Sequence, residues 1–169
     1  MKTRTFVSFS AAAALLLFWC GCGLLTPPEQ PGTTFYTIPA PHAVTGAPGI
    51  TIRRLQNDSG AAYKMRYLTG SGKVVIDDYR QWIDMPQTMV ANILRTDFPA
   101  GERELFANIF LWDIDITAAE IRLGIAWNTV PGNISERRIY TAALTEVSPE
   151  AAAAAFSNAI GQWEKDLAE

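Results

Sequence analysis

Apolar residues recur along this chain at two spacings, and the spacings occupy separate stretches. Period two comes first. Phe35–Ile38 predicts a short strand, and Gly49–Leu55 a longer one with Ile50, Ile52 and Leu55 inward and Arg53-Arg54 toward its end. Ala62–Leu68 and Lys73–Tyr79 flank Thr69-Gly70-Ser71-Gly72; two β-rich runs about a glycine-bearing loop predict a hairpin. A helical period follows, with Met89, Val90, Ile93, Leu94 and Phe98 on one face. A capping box is expected at its start, with Asp84 as N-cap, Gln87 three residues on and Pro86 in the first turn. Pro99-Ala100-Gly101 ends it.

Period two then returns. Phe106–Ile116 reads as one uninterrupted alternation: Phe106, Asn108, Phe110, Trp112, Ile114 and Ile116 against Ala107, Ile109, Leu111, Asp113 and Asp115. Glu120–Val130 sets Ile121, Leu123, Ile125 and Trp127 against Glu120, Arg122, Gly124 and Asn128. Pro131-Gly132-Asn133 is a turn and Arg137–Val147 the next strand, so these three strands form an antiparallel meander. The chain closes on a helix, with Ser148 as N-cap, Pro149 at the first position and Glu150 near the positive helix end. Ala152, Phe156, Ile160, Trp163 and Leu167 form its buried stripe, with Ala159 beside it. The expected fold is α/β of the α+β kind. One mixed, largely antiparallel sheet of about five to six strands is covered by two amphipathic helices.

The first residues carry a different signal. Lys2 and Arg4 precede an apolar stretch from Ala11 to Trp19, the layout of a secretory signal. Trp19-Cys20-Gly21-Cys22 stands where a small-x-small cleavage site is usual. It resembles a bacterial lipoprotein signal, in which a small residue precedes the acylated Cys. Gly21 precedes Cys22, whereas the bulky Trp19 precedes Cys20, so the resemblance assigns lipidation to Cys22 and removal of residues 1–21. An ordinary secreted protein with an incidental Cys pair is the other reading. With Cys20 gone, Cys22 is the sole Cys and no intrachain disulfide can form. Residues 22–34 are then the lipidated Cys and a Pro/Gly spacer, and 35–169 a single domain. Gly23, not Asp, follows Cys22; by resemblance to enterobacterial sorting this implies the outer membrane, on its periplasmic face.

Composition narrows the chemistry. No apolar run reaches the roughly 20 residues of a spanning helix. The net charge of −3 opposes nucleic-acid binding. The single His, His42, lies in a Pro/Gly-rich loop and suits a solvated position, so neither a zinc cluster nor a His-based triad is expected, and no cofactor. Asp113 and Asp115 share one strand face, which fits a metal or acid–base pair but fits a solvated face better. Asp77 and Asp78 point to opposite faces. Gly70-Ser71-Gly72-Lys73 lacks the spacing of a phosphate loop. Trp82, between a strand and a helix start, suits a core position by the area it buries and an interface by its type.

These pieces together resemble the ABC-type transport auxiliary lipoproteins. These accompany transporters with mammalian-cell-entry (MCE) domains, which move lipids across the Gram-negative envelope. The residues that carry the resemblance are the Cys22 signal, Phe35-Tyr36-Thr37-Ile38, Ile50-Thr51-Ile52-Arg53-Arg54-Leu55 and Tyr63-Lys64-Met65-Arg66-Tyr67. Tyr79-x-x-Trp82-x-x-x-Pro86 completes the set. Gln81 stands where many members carry Arg, with Arg80 one place earlier. The resemblance implies a non-enzymatic accessory subunit held at the membrane by its lipid anchor. It docks on a periplasmic MCE-domain protein and the associated ABC transporter, and self-association is compatible with it. The expected contact residues are Tyr79, Arg80, Gln81, Trp82 and Pro86. Two other functions remain open: a lipoprotein binding a lipid or small apolar ligand between helix and sheet, and a hydrolase using Asp113 and Asp115.

Overall fold

The sheet is assembled on its longest strand, β5 (Arg103–Asp115), in the computed structural model, which describes residues 32–41, 46–132 and 134–169. β6 (Glu120–Val130) fills one edge of β5, antiparallel from Glu104↔Val130 to Asp115↔Glu120. The other edge is shared. β2 (Ile50–Asn57) runs parallel along its first half, from Ile50↔Arg103 to Asn57↔Ile109. β3 (Lys64–Leu68) runs parallel to its far end through Tyr67↔Ile114 and Leu68↔Asp115. β4 (Val74–Trp82) folds back on β3, and β1 (Thr34–Tyr36) lies parallel to the last residues of β4. β7 (Ile134–Ala143) completes the meander beside β6. The order is β1-β4-β3-β5-β6-β7, with β2 on β5 off this path.

The class expected from periodicity is therefore present: one mixed sheet, its longest pairings antiparallel, with two helices. The strands number seven rather than about five to six, because one edge of β5 takes two strands in succession and the three-residue β1 adds at the rim. β7 begins at Ile134, not Arg137, and ends at Ala143, since the ladder with β6 opens directly after the turn with Thr129↔Ile134.

A register slip explains where the simple alternation fails. Between Ile109 and Leu111 the β5–β6 pairing shifts by one, leaving Phe110 as an extra residue. Leu105, Ala107 and Ile109 are buried before it, and Trp112 and Ile114 after it, so inward parity changes at the bulge. Gly124 sits across from it on β6. A Cβ at that position would lie 2.6 Å from the Phe110 ring and 2.7 Å from Leu111 Cβ. The Arg137 guanidinium covers the ring at 4.0 Å from its centroid.

α1 (Pro86–Asp97) starts without the expected capping box. The N-cap is Met85, extended at φ −64° and ψ 147°, with no side-chain cap bond. Pro86 at the first helical position is the reason: it forces its predecessor out of the helical region and has no N–H to satisfy. α2 (Pro149–Ala168) follows expectation, with the Ser148 hydroxyl accepting from the Ala151 N–H at 3.1 Å. Both helices pack into one apolar cluster with the sheet. Ala152, Phe156, Ala159, Ile160 and Trp163 of α2 are fully buried in it, and Met89, Val90, Ile93 and Leu94 of α1 are buried in it too. Trp112 and Phe156 stack at 4.1 Å, and Trp127 meets Trp163 edge-on at 6.1 Å. Thr33–Glu169 forms one compact unit. Among the described residues, no helix is long and apolar enough to cross a membrane. Cys22, its signal and His42 lie outside the described residues.

Candidate partner interface at the bulged strand

The expected contact residues occupy the end of β4 and its passage into α1, and their arrangement starts from a second bulge. β3 and β4 pair regularly through Leu68↔Val74, Tyr67↔Val75 and Arg66↔Ile76, and then again at Lys64↔Gln81. Between these last two pairs β3 supplies only Met65, while β4 supplies Asp77 to Arg80. The surplus is folded by the Asp77 carboxylate, which accepts from the Tyr79 N–H at 2.9 Å and the Arg80 N–H at 3.0 Å. Arg80 returns an ion pair to Asp77 at 3.6 Å and lies beside the Tyr67 phenol. Burial pushes that phenol's pKa up, and the neighbouring guanidinium opposes the rise. The bulge turns Tyr79 and Arg80 outward, and both are exposed.

Two of the expected contacts are corrected. Trp82 is 1% exposed and Pro86 is buried, so neither is available to a partner. Trp82 meets Trp112 edge-on at 6.1 Å and Phe156 at 5.7 Å, joining the end of β4 to β5 and α2. The area of an indole makes the interior its stable position, and the adjacent bulge delivers it there. Gln81 is half-exposed, with its amide on the Asp78 carbonyl at 3.3 Å.

Three apolar residues join Tyr79, Arg80 and Gln81 that the motif does not contain. Phe35 is 60% exposed and pairs with Gln81 across the β1–β4 ladder, so the two share a face. Ile83 and Met85, in the short passage to α1, are exposed as well. The signal for Ile83 was present: once Trp82 is inward, its extended neighbours point outward. Phe35 had no such signal, because its side depends on the pairing of a three-residue strand.

The acids are committed elsewhere. Asp113 is buried and pairs with Arg66 at 3.3 Å, while Asp115 accepts from the N–H groups of Thr117 and Ala118. Lys64 pairs with Asp78, and Arg53 with Glu104. Among the described residues, no group of three or more His, Cys, Asp or Glu could hold a metal ion.

The fold recurs in crystal structures. One, described as an uncharacterized protein, superposes with a TM-score of 0.64 at 12% identity, covering 81% of this chain and 97% of that one. Another is protein XCC0632 from Xanthomonas campestris, described as DUF330; its TM-score is 0.54 at 16% identity, covering 80% of this chain and 92% of that one. At these identities the likeness is one of fold. No family model and no curated protein matches the chain.

Proposed function

We propose that the chain is a non-catalytic envelope lipoprotein, anchored through Cys22 at the outer membrane. It serves as an accessory subunit of an ABC/MCE-type lipid-transport complex. The observation that carries this reading is the surface around Gln81. Phe35, Tyr79, Ile83 and Met85 stand exposed around Gln81, Arg80 is exposed at the rim beside Tyr67, and Trp82 holds the backbone beneath. Aromatic and Arg side chains on a rigid support are the mix enriched at protein interfaces. The reading also draws on the auxiliary-lipoprotein resemblance, whose Tyr79…Trp82…Pro86 block spans this surface.

Docking is preferred over enclosure of a lipid because the space between α2 and the sheet is filled. Trp82, Trp112, Phe156 and Trp163 are each no more than 2% exposed there.

The test is co-purification of the full chain with an MCE-domain protein from the same envelope. Ile83→Asp combined with Gln81→Glu should reduce recovery of that partner at least tenfold. Circular dichroism should stay unchanged, since both positions are at least partly exposed. Equal recovery by the folded variant would move the interface off this surface.

A further inference from the structure

The same strand carries a second feature, upstream of its bulge. β1 covers β4 only at Arg80–Trp82, and among the described residues nothing pairs with the outer edge of β4 from Val74 to Asp78. The Thr69 N–H donates to the Lys73 carbonyl. In an antiparallel ladder inward- and outward-directed backbone groups alternate, so Val75 directs its N–H and C=O to β3 while Val74 and Ile76 direct theirs outward. All three side chains are exposed, at 40%, 42% and 55% for Val74, Val75 and Ile76.

Two other free edges, those of β2 and β7, are protected by charge, and that of β1 is only three residues long. β2 presents Arg53 and Arg54, and β7 carries Glu136, Arg137 and Arg138. Val74-Val75-Ile76 has no charge, no proline and, among the described residues, no covering element, which is the profile of an edge that pairs with another strand.

We infer that the occupant of this edge is β4 of a second copy of the chain, in antiparallel pairing about a twofold axis at Val75. The sequence of the edge is self-complementary in that arrangement. Val74 falls opposite Ile76 of the second copy, joining the outward backbone groups of both. Lys73 falls opposite Asp77 of the second copy. Lys73 makes no ion pair among the described residues, so its ammonium is available to Asp77 of the second copy, whose carboxylate also holds its own bulge and Arg80. Pairing extends the two sheets into one. The contact is short, so it belongs to the small, transient class of interfaces, and a covalent trap suits it better than an affinity measurement.

The test is disulfide trapping in the full chain, with the unsubstituted chain setting the background from Cys20 and Cys22. At the twofold, the two Val75 Cα atoms of a non-hydrogen-bonded pair lie about 4.5 Å apart, within disulfide range. Val75→Cys should therefore give a thiol-reversible dimer at several times background under mild oxidation. Lys73→Cys places its two copies about 14 Å apart and should stay at background. Adding Lys73→Glu to Val75→Cys should cut the dimer yield severalfold, with circular dichroism as the folding control. Background yield for Val75→Cys, or equal yields at positions 73 and 75, would overturn the inference. A dimer peaking at Ile76→Cys would overturn the axis at Val75. None of these readouts involves an MCE-domain partner, so the inference stands or falls apart from the function proposed above.

Discussion

Glu164 is the residue least at ease in this molecule. It lies on the buried side of α2, fully inaccessible, and neither carboxyl oxygen has a hydrogen-bond partner of good geometry. Desolvation first, and then the facing Asp97 at the end of α1, raise its pKa from 4.5 to about 8. The sign of the consequence is fixed. The folded state holds a proton that the unfolded state releases near pH 4.5, so stability falls as pH rises from about 4.5 to about 8 and then levels off. Urea unfolding between pH 5 and pH 9 should show this loss, on the order of a few kcal/mol. Glu164→Gln should flatten the profile and leave the variant more stable than the parent above pH 8. A slope untouched by that substitution would place the titration elsewhere. Little in the sequence warns of Glu164, since a helical stripe counts apolar residues and passes over an acid between Trp163 and Leu167.

Elements were legible where one rule governed them. The stripe on α2, its Ser148 cap and the β5–β6–β7 meander follow from period and capping alone. The start of α1 went astray because two cap signals competed, and the local geometry imposed by Pro86 overrode the Asp84–Gln87 pattern. The bulges at Phe110 and at Asp77–Arg80 are invisible to a strict period of two. Each is an insertion relative to a partner strand, and register is a property of the pair. At Phe110 the pair makes a measurable claim. Gly124→Ala would drive a methyl group into the Phe110 ring and Leu111, costing about 1–3 kcal/mol. Thermal unfolding should show a lower melting temperature. Placed on a Phe110→Ala background, the same substitution should cost less, because the ring is one of the two atom groups it strikes. Additive losses would mean that the ring moves aside freely.

For the whole molecule, the partition of residues between core and surface was read well for α2 and poorly around Trp82. That Trp belongs to a motif expected at an interface, yet the fold uses it to join three elements, and the exposed residues beside it do not belong to the motif. A shared motif can thus mark the scaffold of a surface and not its contacts. The shared edge of β5 has a dynamic consequence. β3 reaches β5 through only two residue pairs, supported by the Arg66–Asp113 ion pair and the Leu68 carbonyl accepting from the Ile116 N–H. The β3–β4 hairpin therefore hangs from a sheet whose remaining strands are joined along most of their length. Opening at that seam breaks few backbone bonds, so the turn end of the hairpin should open as a unit while Met65 and Trp82 stay in the core. Its internally paired amide protons, those of Tyr67 and Val75 above all, should exchange with deuterium well before those of Ile121–Ile125. The strand that bears both proposed surfaces is then fixed at one end by Trp82 and free to leave the sheet and return at the other.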